Sequence, residues 1–131
     1  MDNDKIKAKL RFKEWKHYAL EDEEIIKIAL KEDGPANQIC LHSEQMVEKY
    51  LKGYLSYQKH KLLKIHQLDK LLLECKKYDK SFSKLSKEAL KLSDYYIETR
   101  YPGDYFEFSR KEAEEAYRMA KKIKRFILSK I

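Results

Sequence analysis

Between Pro35 and Tyr57 small or apolar side chains return every three to four residues without a break: Ala36, Ile39, Cys40, Ser43, Met46, Val47, Tyr50, Leu51, Tyr54 and Leu55. That is the period of an α-helix, and a strand cannot satisfy it. The stripe is too broad for a helix lying at the edge of a fold, so this segment is expected to run through the middle of a bundle. Gly53 sits within it and weakens the helix by about 1 kcal/mol relative to Ala. A second helix crossing closely at that point would offset the loss.

The same period recurs in four other stretches. The first spans about Lys5 to Lys31, with Ile6, Leu10, Trp15, Ala19, Ile26 and Ala29 expected on its inner face. Asp33-Gly34-Pro35 ends it, since Gly can close a helix and Pro suits the start of the next. After the polar linker Gln58-Lys59-His60-Lys61, a third helix is predicted from about His66 to Tyr78, burying Leu68, Leu71, Leu72 and Cys75. Ser81 or Ser83 is a candidate cap for a fourth, which carries Leu85, Ala89, Leu92 and Tyr96. It ends before Tyr101-Pro102-Gly103, because the residue preceding Pro is pushed out of helical backbone. Ser109 with Glu112 three residues on is a capping box for the last helix, whose inner face is Ala113, Ala116, Tyr117, Ala120, Ile123 and Ile127. The expected fold is all-α: an antiparallel up-and-down four-helix bundle with one additional short helix, in a single domain over residues 1–131.

Composition supports this and removes other classes. The chain has 131 residues, with 3 Gly and 2 Pro, too little turn chemistry for an all-β fold. The longest aliphatic run, Leu71-Leu72-Leu73, is far short of the ~20 residues of a membrane span. The charged N-terminal residues do not suit a secretory signal. Two cysteines, Cys40 and Cys75, stand in apolar contexts and suit buried, reduced thiols. A cytoplasmic protein without membrane contact is therefore expected. The net charge of +7 permits an anionic partner, but both signs are interspersed and most charge reads as solvated helix surface.

Most familiar chemistries find no foothold. No two helices carry the Glu-x-x-His pairs of a bundle di-iron site, and no Cys-x-x-Cys or His-Glu-x-x-His occurs, so no metal is expected. Gly-rich phosphate loops and the Gly-x-Ser-x-Gly elbow are absent. What stands out is a polar ridge on the second helix. Gln45, Glu48, Lys49 and Lys52 are related by three and four and lie along one line. Two readings stay open: an exposed face with a Glu48–Lys52 pair, or a strip that meets a ligand or partner.

The segment Gln45-Met46-Val47-Glu48-Lys49-Tyr50-Leu51-Lys52 resembles the Gln-x-x-Glu-Lys-x-Leu-Lys pattern of HEPN domains, the higher eukaryotes and prokaryotes nucleotide-binding family. Trp15 with Ala19 and Asp22 is similar to the opening of its first helix. His66-Gln67-Leu68 resembles its His-Asp-Leu, with Gln67 departing from the pattern. Arg100-Tyr101-Pro102 resembles its Arg-Tyr-Pro segment before the last helix. The likeness covers about residues 12 to 130.

Many members of that family are metal-independent RNases and toxins, marked by an Arg and a His four to six residues apart near the late helix boundary. Such chemistry needs a cation for the phosphorane charge and a His to move protons. Arg100 is suitably placed, yet no His follows it. Arg11 and His17 have the spacing but lie inside the first helix, roughly 120° apart. The chain looks more like the branch without the nuclease motif, which implies a prokaryotic nucleotide-binding or interaction module acting with a minimal nucleotidyltransferase and not catalytic itself. By that resemblance the nucleotide- or partner-binding residues are Gln45, Glu48, Lys49, Lys52, His66, Arg100 and Tyr101, and the ligand is ATP or GTP. Lys49, Lys52 and Arg100 would oppose phosphate, His66 would donate a hydrogen bond, and Tyr101 or Tyr105 would stack on a base. Each also has a structural role open to it: His66 at a helix start, Arg100 at a helix end, Tyr101-Pro102 as a packed loop. The alternatives are an RNase-like or RNA-binding component of a toxin-antitoxin pair, and a purely structural homodimer module. With 10 Tyr and a Trp, more aromatic surface is present than a bundle must bury. A homodimer with the polar strip near its cleft is expected.

Overall fold

The computed structural model describes residues 3–98 and 107–131. The described residues are all-helical and form five α-helices: α1 Asn3–Lys31, α2 Ala36–Tyr57, α3 Leu68–Lys76, α4 Ser86–Glu98 and α5 Arg110–Leu128. A 3₁₀ turn, Lys80–Leu85, leads into α4. Among the described residues no helix is long and apolar enough to cross a membrane.

α2 is the central element. It packs along α1 and α5 and also touches α3 and α4. Its expected inner positions from Ile39 to Leu55 are all buried. α1 and α2 form an antiparallel hairpin. Arg11, near the start of α1, donates from Nε to the Ser56 carbonyl at 2.7 Å and from a terminal nitrogen to the Tyr57 carbonyl at 3.2 Å. A guanidinium thus binds two carbonyls of the last turn of α2, where a cation is favoured. At the other end of the hairpin Asp33 takes the left-handed backbone at φ 54°, a role expected of Gly34. Asp tolerates that region. Gly34 is needed for space instead, since a Cβ there would stand 3.1 Å from the Ala29 side chain.

The close crossing expected at Gly53 is present. A Cβ at this position would lie 3.0 Å from Trp15 Cβ and 3.1 Å from Phe12 Cδ1. The inner face of α1 is correspondingly rotated from the expected one. Ala8, Phe12, Ala19 and Ile26 are buried, while Ile6 and Leu10 are exposed. Phe12 takes the groove that Gly53 opens, and that choice turns residues 6 and 10 outward. Later in the chain, α3 begins at Leu68, two residues after His66. The Leu68 amide donates to Ser93 Oγ at 2.9 Å, which caps α3 from α4. Neither Ser81 nor Ser83 caps α4. Asp79 caps the preceding 3₁₀ turn, accepting from the Ser81 amide at 2.9 Å. The Ser109–Glu112 capping box of α5 forms as expected, and all six expected inner residues of that helix are buried. Cys40 and Cys75 are free and buried. Burial, helped by the charge of Glu112, pushes the Cys40 thiol up to about 12, so it is no thiolate near neutrality.

One buried acid ties α1 to α5. Glu23 accepts from Tyr117 Oη and Lys124 Nζ, both at 2.6 Å. Burial alone would raise its carboxyl. The bonds from Lys124 and Tyr117 outweigh that and hold it below the ordinary 4.5. A carboxyl depressed in the folded chain contributes stability above its unfolded value, and loses it as pH falls through the folded value.

Two outcomes follow. Gly53→Val is expected to lower stability by about 1–3 kcal/mol through overpacking against Trp15 and Phe12, read as a lower urea midpoint. Tyr117→Phe is expected to lower it by about 1–3 kcal/mol at neutral pH. The same variant should lose less of its remaining stability than the parent as pH falls below 4.5, as followed by denaturation at a series of pH values.

Candidate functional site

The polar ridge of α2 does not face open solvent along its length. Gln45, Glu48 and Lys49 meet His66, from the segment before α3, and Tyr96, from α4. Together they line an open recess of about 330 Å³. His66 gains its place because the chain has not yet entered α3 at residue 66. Its ring stacks on Tyr96 with centroids 5.2 Å apart and an interplanar angle of 8°.

Glu48 is the hub of the charges. Its Oε2 accepts from Lys52 Nζ at 2.9 Å and lies 3.0 Å from His66 Nδ1. With a proton on Nδ1 the imidazole donates to the carboxylate, and Nε2 remains as the second polar atom of the ring. The carboxylate therefore orients His66 against Tyr96. Lys52 is turned inward, with a side chain only 9% exposed. Its ammonium lies 5.9 Å from the centroid of Trp15, a cation–π contact that accompanies its ion pair.

A second cluster supports the other side of the ridge. Asp22 of α1 is buried, with a side chain 6% exposed. It accepts from Lys49 Nζ at 2.5 Å through one oxygen and lies 2.9 Å from His42 Nδ1 through the other. A buried carboxylate needs such partners, and here they come from the neighbouring helix. Lys49 reaches the recess while anchored at its tip. The two lysines are thus matched by two carboxylates, and the recess is not a bare cationic patch. An entering phosphate would draw Lys49 from Asp22, leaving His42 as the acid's remaining named partner.

Four of the expected residues, Gln45, Glu48, Lys49 and His66, converge on one recess. Lys52 is brought to the same carboxylate but supports it from inside. Arg100 and Tyr101, with Tyr105, lie outside the described residues. Sequence reasoning missed His42 and placed Tyr96 in the core. His42 was detectable in principle, because it precedes Gln45 by three and Lys49 by seven on the same ridge. Asp22 entered only through its family likeness, and nothing in its local pattern marks it as buried. Arg11 and His17 do not meet: Arg11 is engaged by α2 carbonyls, and His17 is exposed beside Tyr18. Glu14 and His17 do stand at Glu-x-x-His spacing, but on the outer face of α1. Among the described residues no group of three or more His, Cys, Asp or Glu side chains is placed to hold a metal ion.

Glu48→Ala is expected to lower stability by about 2 kcal/mol, because it leaves the inward Lys52 ammonium without its carboxylate. Glu48→Gln, which keeps the shape and one acceptor, should lose less. Chemical denaturation of the two variants beside the parent checks the order.

A family model described as HEPN domain matches residues 12–131. The comparison with curated proteins gave no match, and neither did that with solved structures. The family match spans nearly the whole chain, from the first helix that supplies Asp22 to the end of α5. The chain belongs to the HEPN domain family.

Proposed function

We propose that this HEPN domain is a nucleotide-binding and interaction module, not catalytic itself, that works beside a minimal nucleotidyltransferase. The observation that carries the reading is the recess in which Gln45, Glu48, Lys49, His66 and Tyr96 converge from three parts of the chain. Its volume is at the lower end of ligand pockets, which run from about 300 to 1,000 Å³. That size suits one nucleoside, with its phosphates left near the rim. The ring of His66 is braced behind by Tyr96, so its other face is a stiff platform for a base. The Gln45 amide offers one donor and one acceptor group to a base edge. Lys49 supplies the charge for phosphate by exchanging Asp22 for the ligand.

The absence of catalysis in this reading rests on the same geometry. Cleavage of a phosphodiester needs a cation and a proton carrier aimed at one phosphate. In the recess the lysines are held by carboxylates, and the Arg11–His17 pair is dispersed. A ligand-occupied recess beside mobile phosphates suits a domain that presents or senses a nucleotide for a partner enzyme.

Calorimetry with ATP and GTP tests the ligand. Binding is expected for at least one, weakened about tenfold or more by Lys49→Ala and by His66→Ala, with both variants folded by circular dichroism. No heat at millimolar nucleotide would remove the nucleotide reading. Recovery of a small nucleotidyltransferase with the tagged chain from its source cell is the expected result for the partner. Metal-free cleavage of RNA that disappears in Arg100→Ala would overturn the non-catalytic assignment in favour of an RNase-like one.

A further inference from the structure

The outer face of the α3–α4 pair carries two leucines that the core does not use. Leu73 is 56% exposed and Leu90 60%. Leu90 stands between two hollows. One, of about 210 Å³, lies between the helices and is lined by Leu72, Leu73 and Lys76 of α3 and by Ser86 of α4. The other, of about 290 Å³, is lined by Lys87, Lys91 and Asp94 of α4 and by Phe108, which precedes α5. Lys87, Leu90, Lys91 and Asp94 are spaced i, i+3, i+4 and i+7, so they form one ridge along α4. A ridge with a hollow on either side is the relief into which the side chains of another helix pack.

The charges around it say what kind of helix fits. The acids of this stretch are already engaged within the chain: Glu74 by Lys77 and His60, Asp79 by Lys130, and Glu88 by Lys122. Lys76, Lys87 and Lys91, which line the hollows, form no ion pair among the described residues. The recess lysines differ, since Lys49 and Lys52 are each matched by a carboxylate. Here the matching carboxylates have to come from outside. A second copy of this face would set lysine against lysine. No arginine lines either hollow, and so the groups best suited to fork onto phosphate are missing.

We propose that the outer face of α3 and α4 docks an acidic amphipathic helix of another protein. Its apolar side chains enter the hollows on both sides of Leu90 and cover Leu73, while Asp or Glu on its flanks meet Lys76, Lys87 and Lys91. This face shares no lining residue with the nucleotide recess, so either reading can fail alone.

The probe is a fluorescein-labelled synthetic helix with Leu at i, i+3, i+4 and i+7 and Glu on both flanks, titrated with the full chain and followed by anisotropy. The parent should bind it at micromolar concentration, and a scrambled peptide of the same composition at least tenfold more weakly. Leu90→Ala, and Lys87→Glu with Lys91→Glu, should each weaken binding about tenfold, and a peptide with Lys in place of Glu should regain affinity for the charge-exchanged chain. These positions are exposed, and circular dichroism confirms that the variants are folded. Failure to bind at the highest soluble concentration would overturn the proposal, as would equal binding of the scrambled peptide or affinities that the variants leave unchanged. Tighter binding of a single-stranded RNA oligonucleotide or of phosphatidylserine vesicles, lost in the same variants, would overturn it in favour of a polyanion or a lipid surface.

Discussion

The approach of α1 to α2 at Gly53 governs the geometry of everything else. With no side chain at that position, Phe12 and Trp15 sink against the backbone of α2. The depth and rotation of α1 are then determined. Two turns further along, the same rotation turns Asp22 and Glu23 into the interior. These neighbouring acids serve different helices. Asp22 holds His42 and Lys49 of α2, and Glu23 holds Tyr117 and Lys124 of α5. One steric accommodation thus places two buried carboxylates, and each demands partners because an unpaired buried charge is strongly unfavourable.

The candidate site inherits its character from that demand. Its lysines are not poised in solution. Each is tied to a carboxylate, and His66 is tied to the carboxylate that holds Lys52. A ligand would meet oriented groups rather than a diffuse positive field. In the proposed reading, recognition would depend on exchange of partners, and its selectivity would come from geometry more than from net charge. It also explains why a chain at +7 need not be a general polyanion binder. The excess positive charge lies along helix surfaces, while the recess is close to balance.

Helix identity was largely legible from spacing. The broad stripe of α2, the inner faces of α3 and α5 and the capping box of α5 all follow from a 3.6-residue period and local hydrogen-bond chemistry. What spacing could not supply was the rotation of α1. Apolar residues occur all around that helix, so Ile6 and Leu10 were as eligible for burial as Ala8 and Phe12. The start of α4 was displaced for a different reason. Asp79 outcompeted the nearby serines as a cap, and the 3₁₀ turn absorbed the residues between. Of the site, the ridge Gln45–Glu48–Lys49–Lys52 was visible as a line on one helix. The inward turn of Lys52, the bracing of His66 by Tyr96 and the support from Asp22 and His42 were not.

The sequence by itself determined that the chain is helical, that α2 is central, and that a polar line crosses its apolar surface. These properties are carried by contacts within about four residues, which periodicity reports directly. Only the tertiary structure decided which face of α1 is buried and which ionised groups lose water. Only it decided which distant residues share the recess. Asp22 and Lys49 are 27 residues apart, and Glu48 and His66 are 18. No local rule encodes such pairings, because they are set by how deeply one helix seats against another.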